Sequence, residues 1–215
     1  MAATVKSARR YNASRRAAQA AATRRSVLAA ARELFVRQGY RATTVSQIAE
    51  RAGVAVDTVY ASVGRKPEVL RELVETSVSG TDHAVPAVRR DYVAQIHAAQ
   101  GARAKITVYA LAIIEIQQRL APVFLALCDA AATEPACAAL WTSIAERRAA
   151  NMREFAAELR ATGELRDDLT DDEVADIVWS MNASEYWVLL VVQRGWAPDR
   201  FGRWLADAWI RLLLA

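Results

Sequence analysis

Twenty-eight Lys and Arg and twenty-four Asp and Glu are placed unevenly along this 215-residue chain. Residues 1–75 hold fourteen cationic and six acidic side chains, a net of +8, whereas residues 76–215 hold fourteen and eighteen, a net of −4. An end so basic is suited to a polyanion, although a solvated face would have the same composition. Nucleophilic and metal chemistry lack their parts. His83 and His97 are the only histidines, and neither has Cys or His at ligand spacing. No phosphate-cradling glycine loop and no GxSxG elbow occurs. Cys128 and Cys137 read as buried thiols, with a redox sensor as the other option, and two cysteines make no disulfide framework. The acids Asp167, Asp168, Asp171, Asp172 and Glu173 lack the Gly and spacing of a calcium loop; negative charge ahead of a helix explains them. The expectation is no catalytic residue, no metal and no cofactor.

The elements that carry these residues read as helical throughout. Apolar positions recur at helical spacing and no long alternating run is present, so the expected class is all-α. Val27, Leu28, Ala31, Leu34 and Phe35 mark one face of a first helix that Gly39 ends. Val45, Ile48, Ala49 and Ala52 face inward on a second, opened by a Thr44/Gln47 capping box and closed by Gly53. A short third helix runs to about Val63, and a fourth from about Arg65 to Val78, with Pro67 in its first turn. The Ser79–Gly80–Thr81 break divides the chain. Beyond it, helices are expected near 84–99, 103–120, 122–132, 135–162, 171–194 and 199–214. Three regions follow: a basic flexible arm at 1–20, a helix-turn-helix domain with connecting helix at 21–79, and a helical domain at 80–215. No apolar run nears the roughly 18 residues of a membrane span. The first twenty residues are basic without an apolar stretch, unlike a secretory signal. A soluble, cytoplasmic protein with no membrane partner is expected.

Two helices joined by a Gly turn outline a helix-turn-helix. Packing Ile48, Val54 and Val59 against Leu34 and Phe35 leaves Val56, Asp57, Thr58, Tyr60, Ala61 and Ser62 on the outer face of the third helix, where base edges would be met. The series Thr43–Thr44–Val45, Ile48–Ala49, Ala52–Gly53–Val54, Thr58–Val59–Tyr60 and Gly64–Arg65–Lys66–Pro67–Glu68–Val69–Leu70 resembles the DNA-binding domain of TetR-type one-component regulators. The likeness covers about residues 23–75. Glu185–Tyr186 and Arg194–Gly195–Trp196 also resemble that family's C-terminal region. It implies phosphate contacts from Thr44, Tyr60 and Lys66. Ala55 stands where the family often has a capping Ser, Ala61–Ser62–Val63 replaces a bulkier series, and Arg65 replaces another Ser cap. Taken singly, Thr44 is also a helix cap, Tyr60 a half-buried aromatic and Lys66 a solvated charge. The arm would follow a minor groove or simply solubilise the chain.

For the remainder, the resemblance implies a ligand-binding and dimerisation domain. The last two helices carry Ile177, Val178, Met181, Val188, Leu189, Val192, Trp204, Leu205, Ala208, Trp209 and Leu212, and would pair with those of a second copy. Tyr109, Ile113, Phe124, Trp141, Met152, Trp179 and Tyr186 would line an apolar cavity, with Glu115 and Asn182 as polar anchors. Each serves equally as ordinary core, and Glu115 as an exposed carboxylate four residues before Arg119. The implied function is a homodimeric repressor of transcription, released from a palindromic double-stranded DNA operator by a small apolar or amphipathic effector. A DNA-binding architectural or co-regulatory protein with a protein partner is the alternative, and a small helical enzyme or carrier a third.

Overall fold

A computed structural model describes residues 2–215, with side chains from Arg15 onward. Ten α-helices occur among them: α1 (Ala2–Ala42), α2 (Val45–Ala52), α3 (Val56–Ser62), α4 (Lys66–Ser79), α5 (Asp91–Ala98), α6 (Gly101–Ala131), α7 (Pro135–Arg160), α8 (Asp171–Met181), α9 (Ser184–Trp187) and α10 (Pro198–Leu213). A 3₁₀ turn, Ala87–Arg89, precedes α5, and a π-helical segment, Val188–Gln193, follows α9. No strand forms among the described residues; one isolated bridge joins Leu165 to Leu214. The chain is all-α, with an N-terminal helix-turn-helix unit and a C-terminal helical unit. Its two compact units are residues 1–73 and 74–215.

In the first unit, α1 buries Val27, Leu28, Ala31, Leu34 and Phe35, the stripe its sequence spacing marks. The helix loses helical geometry at Gly39, where φ is 82°. The arm expected at residues 1–20 corresponds to the N-terminal half of α1, and side chains 1–14 lie outside the described residues. At α2 the Thr44 hydroxyl accepts from Gln47 N and the Gln47 amide oxygen accepts from Thr44 N, a complete capping box. Gly53 closes α2 with φ at 68°, a left-handed conformation that would strain any residue with a Cβ. Ile48, Ala49 and Val59 are buried where α2, α3 and α1 meet.

In the second unit, α6 is the central helix, packed by α5, α7, α9 and α10. By length and composition it could cross a membrane, with an 18-residue window of mean hydropathy 1.5. Its buried Ile106, Ala110, Ile113 and Ile114 are instead covered by the surrounding helices. At the α6–α10 crossing the helices approach so closely that a Cβ on Gly202 would lie 2.2 Å from Ile114 Cδ1. Trp209, Leu205, Phe201 and Leu213 of α10 are fully buried beside it.

Three expectations about this unit are corrected. The helices expected at 103–120 and 122–132 are one helix, because α6 continues through Pro122. The ring removes one donor, and its lost acceptor belongs to Gln118, an exposed position where water can replace the bond. The helix expected at 84–99 shrinks to the 3₁₀ turn and α5. The helix expected at 171–194 breaks at Asn182–Ala183 and resumes as α9 and the π segment. That break places Asn182 in the interior as a hydrogen-bonding hub.

Candidate nucleic-acid interface and body cavity

The first unit presents a groove lined by Val45, Tyr60, Gly64, Arg65, Lys66, Pro67 and Glu68, formed by the starts of α2 and α4 and the end of α3. Thr44, Asp57, Tyr60 and Ala61 are exposed around it, whereas Val56, Thr58 and Ser62 are half-buried. The Ser62 hydroxyl donates to Val59 O at 3.3 Å, so its proton is used within the helix. Lys66 Nζ stands 4.0 Å from the centroid of the buried Tyr40 ring, a cation–π contact that aims the ammonium. Tyr40 packs in turn on Phe35, with centroids 5.4 Å apart. The seat under Lys66 was invisible in the sequence, because 26 residues separate it from its aromatic. Ala55 makes no side-chain cap at α3. At α4, Glu68 Oε2 accepts from Arg65 N at 2.8 Å, the half of a capping box that the third helical residue supplies, while Arg65 itself brings no side-chain acceptor in place of a Ser.

Not all of the basic charge here is available to a polyanion. Arg51 pairs with Glu33 at 2.6 Å and Arg24 with Glu72 at 2.5 Å. The hydrogen bond from Arg51 holds the Glu33 carboxyl below its usual range. These pairs lock α1 to α2 and to α4.

In the second unit, α5, α6, α7 and the 3₁₀ turn enclose a cavity of about 100 Å³. Tyr92, Ile96 and His97 come from α5, Tyr109 from α6, and Met152, Glu154, Phe155 and Glu158 from α7. Beside it, Asn182 Nδ2 donates to Tyr109 Oη at 2.9 Å, and Asn182 Oδ1 accepts from Arg148. Arg148 also donates to Trp179 O at 2.6 Å and lies over the Trp179 ring. Gln117 Nε2 donates to Asn182 O, and Ser184 Oγ donates to Gln117 Oε1. Burial pushes the Tyr109 hydroxyl well above its ordinary value, so Tyr109 is neutral and able to donate. Burial likewise lowers the Arg148 guanidinium. On the opposite flank, Lys105 Nζ bonds Ile96 O at 2.8 Å and Glu158 Oε1 at 2.7 Å, and His97 Nδ1 approaches Glu158 at 3.0 Å.

The residues expected to line a ligand site do not converge as a set. Tyr109 and Met152 line the cavity, and Asn182 and Trp179 reach it through hydrogen bonds and Arg148. Ile113 is core on α6, and Trp141 packs on Phe124 at 4.9 Å instead. Glu115 is exposed, because α6 buries residues 113, 114, 116 and 117 and turns 115 the other way. Tyr186 is also exposed and rests on Trp204. Sequence reasoning missed Tyr92, Ile96, His97 and Phe155. The Tyr92–Ile96 spacing on a short helix was the available signal. The polar members Arg148, Gln117 and Ser184 carried none, since each looks like a solvated residue in isolation.

Other candidate groups settle into structural roles. Four of the five acids between 167 and 173 are tied: Asp168 to Arg166, Asp171 to Arg160, Asp172 to Arg153, and Glu173 to the Thr170 cap. No cluster able to hold a metal occurs among the described residues. Burial raises the Cys128 thiol to about 11, leaving it protonated and unreactive near neutral pH. Cys137 is fully buried.

Of the apolar groups expected on a pairing face, Val178, Leu205 and Trp209 are already buried within the chain and Met181 nearly so. Leu189, Val192 and Leu212 remain exposed, along with Tyr186.

Comparison with known proteins bears on both units. Residues 27–73 match the model of bacterial regulatory proteins of the tetR family. No curated protein matches the chain by sequence. Among solved structures, the fatty acid degradation regulator FadR of Bacillus halodurans superposes with a TM-score of 0.70 at 16% identity, covering 87% of this chain and 94% of that one. A TetR-family transcriptional regulator from Rhodococcus sp. gives 0.68 at 18% identity, with 90% and 99% covered. A transcriptional regulator from Saccharomonospora viridis, solved with choline, gives 0.66 at 20% identity, with 89% and 97% covered. The helix-turn-helix unit is a tetR-family domain, and the whole chain has the fold of that family's transcriptional regulators.

Proposed function

We propose that this protein is a homodimeric, sequence-specific DNA-binding regulator, acting as a repressor that a small apolar or amphipathic effector releases from a palindromic operator. The observation that carries this reading is the groove at the starts of α2 and α4. There, exposed Tyr60 and Thr44 flank an ammonium held by Tyr40. In that arrangement Thr44, Tyr60 and Lys66 contact phosphates and set register, while the outward positions of α3 meet base edges in the major groove. Asp57 and Ala61 are the exposed readers, with Val56, Thr58 and Ser62 at the margin. Exposed Leu189, Val192 and Leu212 supply the apolar surface for a second copy, so that two recognition helices address successive major grooves.

The cavity around Tyr109 supports an effector site in the body. Of the similar structures, one belongs to a regulator of fatty acid degradation and another holds choline, so they support a small organic effector without naming one. An effector relieves repression here by binding the DNA-free state more tightly than the DNA-bound state.

The test is selection from sheared genomic DNA at near-physiological salt with excess competitor, followed by sequencing. A few enriched sites sharing a dyad are expected; uniform retention refutes sequence-specific recognition. On the selected site, Tyr60→Phe with Lys66→Ala weakens binding and reduces the salt slope by about 1. An unchanged affinity and slope refute the phosphate assignment.

A further inference from the structure

The cavity of the second unit has a lining of distinctive chemistry. Three aromatic rings meet there: Tyr92 lies 6.0 Å from Tyr109 and nearly parallel to it, and Phe155 lies 5.0 Å from Tyr109 at 59°. Two carboxylates, Glu154 and Glu158, share the same wall four residues apart on α7, and no Lys or Arg lines the space. Glu154 is exposed and so sits at the rim. Aromatic faces beside carboxylates attract positive charge, and the cations next to the lining are already engaged, Lys105 and His97 with Glu158 and Arg90 with Val85 O and the Tyr92 hydroxyl.

The hydrogen-bonding capacity of the walls narrows the choice. The Tyr109 hydroxyl is engaged by Asn182 and Met152. The Glu158 carboxylate is engaged by Lys105 and His97. The lining's other acceptors are the Asn151 amide and the exposed Glu154 carboxylate; a primary ammonium would draw on these for its three N–H donors, whereas a fully alkylated ammonium carries no donor and needs none of them. About 100 Å³ suits a head group of a few heavy atoms, well below the roughly 300 Å³ of a drug-sized pocket. Val88, on the same lining and 70% exposed, offers apolar surface to a chain leaving the mouth. Resting on the proposal that the body binds an effector, we infer that this cavity takes a quaternary ammonium head, held by Tyr92 and Phe155 with Glu154 as rim counter-charge and carrying a short alkyl tail, while Tyr109, stacked on both Tyr92 and Trp209, backs the wall.

The experiment is isothermal titration of the full chain with hexyltrimethylammonium, against 1-heptanol and heptanoate as neutral and anionic counterparts. The ammonium binds about tenfold tighter than the alcohol, and heptanoate binds weakest. Tyr92→Leu, which keeps apolar bulk without the ring, weakens the ammonium about tenfold and leaves the alcohol within about twofold. Glu154→Gln weakens the ammonium by about two- to threefold. The unfolding temperature of each unliganded variant, measured by calorimetry, verifies that the fold is retained. Equal affinity for ammonium and alcohol, or preference for heptanoate, overturns the cation assignment. If alcohol or carboxylate binds and Tyr92→Leu abolishes it, the cavity is an effector site for another class. If no probe binds, the cation assignment fails and the cavity loses its support as the effector site.

Discussion

The two units of this protein hold their important side chains by opposite means. In the helix-turn-helix unit the capping bonds are short in sequence, Thr44 to Gln47 and Arg65 to Glu68 each spanning three residues, while surface pairs reach further, Arg51 to Glu33, Lys66 to Tyr40 and Arg24 to Glu72. In the body they span 53 residues from Lys105 to Glu158, 65 from Gln117 to Asn182 and 73 from Tyr109 to Asn182. The first unit displays its polar groups on a surface groove set by caps and turns. The second buries them in a network that exists only once five helices have packed. A surface built from local bonds tolerates loss one bond at a time. A buried network fails when any distant partner is removed.

Mutations can break or sharpen that contrast. The largest effect is expected at Trp209, fully buried and stacked 5.6 Å from Tyr109. Trp209→Ala costs about 3–5 kcal/mol by loss of burial and cavity formation, read by urea unfolding. Trp209→Phe costs less than half of that, because it also removes an indole N–H that has no partner among the described residues. Next comes Gly202→Ala, which drives a Cβ into Ile114 and costs about 1–3 kcal/mol. Adding Ile114→Val removes the Cδ1 atom that would be struck and recovers part of the loss. A full cost in the double variant would mean that backbone, rather than this side chain, sets the helix spacing.

Burial alone would raise the Glu158 carboxyl, but the hydrogen bonds from Lys105 and His97 outweigh it and hold the group below its ordinary 4.5. Its contribution to stability is therefore complete above about pH 4.5 and is lost as pH falls towards its depressed folded value. Glu158→Gln costs about 1–2 kcal/mol near pH 7 and shows a shallower loss of stability on acidification than the parent protein. An unchanged acid limb would remove Glu158 from the account. The smallest effect is expected at Thr44→Ala, about 1 kcal/mol from loss of one cap, with Thr44→Ser restoring it. A Thr44→Ala loss as large as that of Trp209→Ala would erase the contrast between the units.

This difference in range also explains what the sequence made legible. The Thr44 capping box, the Gly53 stop and the buried stripe of α1 each declare themselves within a few residues. The seat of Lys66 on Tyr40 did not, because an aromatic beside a loop glycine looks like core. In the body, Pro122 reads as a helix end, yet α6 passes through it since the orphaned carbonyl faces water. The break at Asn182 is dictated by Tyr109, Arg148 and Gln117, none of them near in sequence. The cavity was least legible of all. Its rings come from three helices, and Glu115 and Tyr186, apt by residue type, point outward.

All six tryptophans lie beyond residue 140, and none falls in the helix-turn-helix unit. Intrinsic tryptophan emission from this protein is therefore a signal from one unit alone. Trp209, buried with its indole nitrogen unbonded, should emit towards the blue, and half-buried Trp196, under the Arg200 guanidinium at 3.9 Å, towards the red. Because the Trp209 ring lies against Tyr109, which lines the cavity, a molecule entering there reaches that fluorophore through Tyr109. The body thus carries its own optical reporter, and the helix-turn-helix unit adds no tryptophan emission to it.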